Sequence, residues 1–253
     1  DSPAGGGGDA ARMLAEERPR ARRWDSSRAP VGQTVSVDAV PGLFVHRGYF
    51  SRGQLAEINR FSARAAKAHP HGWFTYHQGR RMMPLQADGA MSSKLQTLLS
   101  SLKSTNGTDP LSWPAITYFA DDERDPGAIL LRQLQDDISA GMLLPSAKGQ
   151  PCLFYQAQTV ERGGVVGSHI DPHDKGGRCI TTLTTTGSGT DIRVADTVFF
   201  VEPGDVYGIE GYARYGVEHE VLPSVRDRMT FTLRFGWHCP QVAAQHGQSI
   251  PSS

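Results

Sequence analysis

His169, Asp171 and His219 are the residues whose types and spacing could do chemistry in this chain. One residue separates His169 from Asp171, and on an extended strand the period of two puts both side chains on one face. His219 follows fifty residues later. Two imidazoles and one carboxylate form the facial triad that holds non-haem Fe(II) and leaves three coordination positions open. Arg228 and Arg234 lie nine and fifteen residues beyond His219. In that segment Arg228, Thr230, Thr232 and Arg234 alternate with Met229, Phe231, Leu233 and Phe235, so one face is polar and the other apolar. Arginines on a strand that reads as buried need anionic partners, because an unpaired buried charge is costly. Their Cα atoms would lie ~20 Å apart at ~3.3 Å per residue. Two long side chains reaching toward each other could hold a small dicarboxylate, and guanidinium suits bidentate carboxylate recognition. An iron triad beside such a clamp points to 2-oxoglutarate as co-substrate.

These residues must be positioned by something, and the sequence between them reads as short strands. Residues 181–186, 191–201 and 205–209 are β-rich and bounded by Gly, Pro or Asp. Cys152 to Val160 reads as the strand entering the barrel, and Gly163-Gly164 as the turn before the ligand strand. Ligands distant in sequence meet at the mouth of a jelly roll in this pattern. Upstream, Ser51 and Gln54 form a capping box, followed by Leu55, Ile58, Phe61 and Ala65 at helical spacing. A second helix is expected from about Ser92. A third is expected from Asp125-Pro126, an N-cap and N1 pair, with Leu130, Leu131, Leu134 and Ile138 as its packing positions. The fold class expected is α+β, a double-stranded β-helix (jelly-roll) barrel with flanking helices packed on one sheet.

At this point the ordered motifs resemble a known family. The run from Gly163-Gly164 through His169-Ile170-Asp171-Pro172, then Pro203-Gly204-Asp205, Gly211-Tyr212-Ala213-Arg214-Tyr215, His219 and Arg228-x5-Arg234, is similar to the AlkB-like Fe(II)/2-oxoglutarate-dependent dioxygenases. The likeness covers roughly residues 150–238 and is nearest in motif to the N6-methyladenine RNA demethylase branch. It implies Fe(II), 2-oxoglutarate and O2 as the cofactor set, with Arg228 on the distal carboxylate and Arg234 near the metal-side carboxylate or the substrate. It also implies oxidative demethylation of N-methylated bases in RNA or DNA, with formaldehyde released from the hydroxylated methyl group. Many members carry Asn and Tyr eleven and nine residues before the first ligand, both contacting 2-oxoglutarate. Here Gln158 and Val160 stand at those positions. Gln158 can replace the amide contact, but Val160 cannot replace the phenol. Three other readings use the same triad. They are TET/JBP-like oxidation of 5-methylpyrimidines, hydroxylation or demethylation of protein, and a non-catalytic binding barrel.

The family's nucleotide-recognition lid falls on residues 71–86, where Trp73, Tyr76, Arg80 and Arg81 interleave aromatic and basic groups. Core aromatics in a hairpin would give the same pattern. Asp174, in the loop after the ligand pair, either contacts substrate or makes a turn. His173 in that loop could mimic a ligand, but His219 fits the downstream ligand position better. The 253 residues, 38% hydrophobic, allow one dioxygenase domain over residues 38–239. Residues 1–37, rich in Gly, Ala and Arg, read as a disordered arm, and residues 240–253 as a polar tail. With a formal net charge of zero, no global field attracts nucleic acid, so binding must use local patches. Three cysteines without metal or disulfide spacing fit a reducing, intracellular setting, nucleus or cytoplasm. No apolar run spans a membrane, and a monomer is expected.

Overall fold

The computed structural model describes residues 21–68, 74–75, 80–85, 124–150, 152–171 and 177–236. Among the described residues, thirteen strands fall into two sheets. They are β1 (Arg22–Arg23), β2 (Thr34–Ser36), β3 (Leu43–His46), β4 (Phe74–Thr75), β5 (Arg80–Leu85), β6 (Cys152–Val160), β7 (Val166–His169), β8 (Cys179–Thr184), β9 (Thr190–Val194), β10 (Thr197–Val201), β11 (Val206–Ile209), β12 (His219–Val221) and β13 (Arg228–Phe235). The larger sheet runs β2-β3-β11-β8-β13-β6-β5-β4 and the smaller β1-β10-β9-β12-β7. From β6 onward the chain passes between the sheets, with β6, β8, β11 and β13 in the larger and β7, β9, β10 and β12 in the smaller. That alternation, antiparallel throughout, is the winding of a double-stranded β-helix.

Two helices cover the outer face of the larger sheet: α1 (Arg52–Ala68) and α2 (Pro126–Ser139). The capping box forms as its sequence requires. The Ser51 backbone N–H donates to Gln54 Oε1 at 2.9 Å, and the Gln54 N–H donates to Ser51 Oγ at 3.4 Å. Asp125 caps α2 by accepting from the N–H groups of Gly127 and Ala128. Leu55, Ile58, Phe61 and Ala65 of α1 and Leu131, Leu134 and Ile138 of α2 bury against Phe231, Leu233 and Phe235 of β13. The helices approach so closely that a Cβ at Gly127 would stand 2.5 Å from the Glu57 carbonyl oxygen and 2.6 Å from the Phe61 Cβ. No helix among the described residues is long and apolar enough to cross a membrane.

Between the sheets a second cluster forms around Leu43, Val45, Ile192, Val194, Phe199, Val201 and Ile209. Residues 21–37 depart from the expected arm. There Trp24 packs edge-on against Phe199 with ring centroids 6.4 Å apart, while Arg22 and Arg23 pair with Asp196 and Asp191. Apolar burial of one indole and two ion pairs hold as structure a stretch whose composition reads as solvated. Residues 191–201 also resolve into two strands, with a tight turn at Ala195 (φ 54°) and Asp196 between them. The helix expected from Ser92 lies outside the described residues.

Candidate active site

The alternation along β13 separates the two environments it serves. Its apolar residues meet the helices, and Arg228, Thr230, Thr232 and Arg234 line the cavity between the sheets. On the opposite wall, β12 pairs antiparallel with β7 so that His219 lies directly across from His169. β7 ends at His169, and Asp171 follows two residues later, outside the strand. The ring centroids of the two histidines are 4.4 Å apart. Asp171 places Oδ1 at 3.9 Å from His169 Nε2 and Oδ2 at 3.6 Å from His219 Nε2. One ligand atom from each of the three residues lies within 4.8 Å of the others.

The protonation states suit a dication. The His169 Nδ1 donates to the Gly167 carbonyl at 2.7 Å, which leaves Nε2 as the ring nitrogen facing the site. Burial pushes the His219 imidazole down to about 4, so it is neutral near pH 7. Burial also pushes the Asp171 carboxyl up, but Arg234, Arg214 and the two imidazoles outweigh it and hold it at about 2. Two imidazoles and one carboxylate therefore converge, which is the donor set Fe(II) takes. His219 Nδ1 is buried with no hydrogen-bond partner among the described residues.

Two arginines support the carboxylate. Arg234 Nη1 lies 3.7 Å from Asp171 Oδ2. Arg214, from the short helix α3 (Gly211–Tyr215), is wholly buried. Its Nη1 donates to the Asp171 carbonyl at 3.0 Å and stands 3.9 Å from Oδ2. Arg228 differs from both. It is 5% exposed and lines the same cavity. Among the described residues no carboxylate pairs with it, and its Nε has no partner. Burial lowers its affinity for a proton, and the Tyr207 phenol beside it is the group that opposes this. A buried guanidinium without an anion is the cradle that the far carboxylate of 2-oxoglutarate would fill.

The remaining residues singled out in the sequence fall in different places. Gln158 lies in the cavity wall, accepting at Oε1 from Arg80 Nε (2.9 Å) and Nη2 (2.7 Å) and donating from Nε2 to Thr232 Oγ1 (3.0 Å). Arg80, expected in a lid, begins β5, a strand of the larger sheet paired with β6, and its guanidinium faces the cavity because Gln158 holds it there. Arg81, next along the strand, is exposed. Trp73, Tyr76 and Asp174 lie outside the described residues, as does His173. Arg214, beside Asp171, and Tyr207, in the cavity wall, carried no assignment from sequence. Arg214 sits within a quoted motif, Gly211 to Tyr215, which was its available signal. Tyr207 had none, since its place depends on pairing between strands.

No family model and no curated protein matches the chain. Among solved structures it is similar to a prolyl hydroxylase from Trichoplax adhaerens in complex with a hypoxia inducible factor oxygen degradation domain peptide fragment. That likeness has 14% identity and a TM-score of 0.49 over 83% of this chain and 88% of that one. A 2OG-Fe(II) oxygenase family oxidoreductase from Burkholderia pseudomallei gives 13% and 0.49 over 77% and 85%. A Pseudomonas putida prolyl-4-hydroxylase gives 16% and 0.46 over 78% and 92%. Likenesses of this size carry no argument about activity, which rests instead on strand order and site geometry. On those grounds the described residues form a barrel in which three possible metal-ligand donors converge, with a buried arginine in the same cavity that no described carboxylate pairs with.

Proposed function

We propose that the protein is an Fe(II)/2-oxoglutarate-dependent dioxygenase that oxidatively demethylates N-methylated bases in nucleic acid. The observation that carries the chemistry is the convergence of His169, Asp171 and His219 in the same cavity as the carboxylate-free Arg228. When bound, the iron couples oxidative decarboxylation of 2-oxoglutarate by O2 to insertion of one oxygen atom into a substrate C–H bond. The chain's own residues do the rest. His169, Asp171 and His219 would hold the iron, each through one ligand atom. Arg228 orients the co-substrate through its far carboxylate. Arg234 and Arg214 keep Asp171 ionised and aimed. Ile192, Val194 and Val221 give the cavity an apolar wall beside the triad.

The substrate class rests on the resemblance in the sequence. It is supported by the second arginine of Arg228-x5-Arg234 reaching Asp171, and by the exposed cation of Arg81 on β5. A base must be unpaired or flipped to enter such a cavity. Hydroxylation of a protein side chain is a second reading, favoured by β7. Among the described residues that strand edges the smaller sheet beside the triad, and Val165 and Ile170 flanking it are 43% and 41% exposed. An extended peptide could add to that edge.

Succinate and formaldehyde measured across N-methylated RNA, N-methylated DNA, 5-methylpyrimidine DNA and peptide pools separate these readings. Demethylation gives succinate with equimolar formaldehyde on an N-methylated nucleic acid. Succinate with a retained hydroxymethyl base indicates pyrimidine oxidation, and peptide-only turnover replaces the proposal with the second reading.

A further inference from the structure

The triad lies at one end of the barrel, and strand register identifies the loops that share that end. β7 finishes there with His169, β12 starts there with His219, and β13 finishes there with Arg234 and Phe235. β8 starts at the same end, since Cys179 pairs with Phe235, and β11 finishes there, since Ile209 pairs with Ile180. The connection from β11 to β12 carries α3, and the residue leading into β8 is Arg178.

Inside the protein, α3 supports the triad. Arg214 is wholly buried, donates to the Asp171 carbonyl and lies 4.7 Å from the centroid of the Tyr215 ring. Toward solvent, α3 presents Tyr212, which is 48% exposed. Its ring is seated on Gly216. The Gly216 N–H donates to the Tyr212 carbonyl at 2.8 Å, and a Cβ at Gly216 would stand 2.5 and 2.7 Å from two carbons of the ring. The ring is thus held in one orientation by bare backbone while about half of the residue meets water. Tyr215, three residues on and so on the same side of the turn, donates from its phenol to the Gly177 carbonyl at 3.4 Å. That contact brings Arg178 alongside. Burial pushes the Tyr215 phenol up, and the charges of Arg214 and Arg178 pull against it. Arg178 is half-buried and forms no ion pair among the described residues, and its backbone N–H is fixed on the Phe235 carbonyl at 2.7 Å.

Resting on the nucleic-acid reading above, we infer that Tyr212 and Arg178 form a docking surface for single-stranded nucleic acid at the triad end of the barrel. Tyr212 stacks on an unpaired base next to the target, and Arg178 takes a backbone phosphate. A base that enters the cavity has left its stack, so its neighbours need a new surface to rest on. An aromatic face accepts any base, and a cation near it accepts the backbone. With a net charge of zero over the chain, attraction to this end has to come from a local cation.

Fluorescence anisotropy of the full chain with a labelled single-stranded RNA, a DNA of the same sequence and the corresponding duplexes tests this. Tyr212→Ala should weaken single-strand binding ~10-fold and leave duplex binding unchanged, because paired bases offer no free face. Tyr212→Phe and Tyr212→Trp should bind single strands as the unaltered protein does. Arg178→Gln should weaken binding at low salt and lower the slope of log affinity against log salt by about 0.7, the share of one phosphate on a single strand. Failure of the unaltered protein to bind either single strand would overturn the nucleic-acid reading and this inference with it. Single-strand binding that Tyr212→Ala leaves intact would overturn the inference alone. So would equal losses on single strands and duplexes, or a Tyr212→Ala loss confined to turnover of peptides.

Discussion

The two ends of the cavity treat buried charge in opposite ways. At the metal end, Asp171 gathers Arg214, Arg234 and two imidazoles within 3.9 Å, so the buried carboxylate is paired before any ligand arrives. At the other end Arg228 is as deeply buried, and no carboxylate among the described residues faces it. A self-compensated cluster holds geometry; an uncompensated cation waits for an anion and costs stability until it comes. The difference assigns the first end to positioning and the second to recognition.

The largest effect should come from breaking the metal end. His219→Ala is expected to abolish detectable Fe(II) or Co(II) binding, while circular dichroism and cooperative melting remain those of a folded barrel. Metal bound with unchanged affinity would remove His219 from the ligand set. At the other end, Arg228→Ala should raise the 2-oxoglutarate dissociation constant ~100-fold and Arg228→Lys ~10-fold, since lysine keeps the charge and loses the fork. Metal affinity without co-substrate should be untouched in both. The comparison sharpens further in stability. Arg228→Met, of similar length and uncharged, should stabilise the ligand-free protein by ~1–3 kcal/mol in urea unfolding while eliminating stabilisation by 2-oxoglutarate. A destabilised Arg228→Met protein would mean that the guanidinium is compensated after all. The smallest effect is expected for Arg234→Lys, a loss of a few-fold in metal affinity, because Arg214 still neutralises Asp171.

Much of this was legible in the sequence where the signal is local. The period of two on Arg228 to Phe235 assigns its faces, and Ser51 with Gln54 and Asp125 with Pro126 mark two helix starts, because a cap and its helix are neighbours in the chain. The triad was legible through residue type and order, and the structure brings its members together. Tyr207 was not, because its relation to Thr182 and Arg228 exists only through the pairing of β11, β8 and β13. Arg80 read as a cation for substrate because its partner, Gln158, is 78 residues away. The strand at Arg22 and Arg23 was hidden in a charged stretch, since the carboxylates that neutralise it belong to the β9–β10 hairpin.

That short first strand has a consequence beyond the ion pairs. It lies parallel on the outer side of β10, with the Arg22 N–H on the Asp196 carbonyl at 2.7 Å and the Trp24 N–H on the Val198 carbonyl at 2.8 Å. The strand beneath it reads Thr197-Val198-Phe199-Phe200-Val201, five uncharged residues of high β-propensity without proline or glycine. Such a segment with a free edge is a template for cross-β stacking. Arg22 and Arg23 thus act as a gatekeeper. A chain shortened to begin at residue 30 would keep His169, Asp171, His219 and Arg228, yet be prone to assemble edge to edge into fibres.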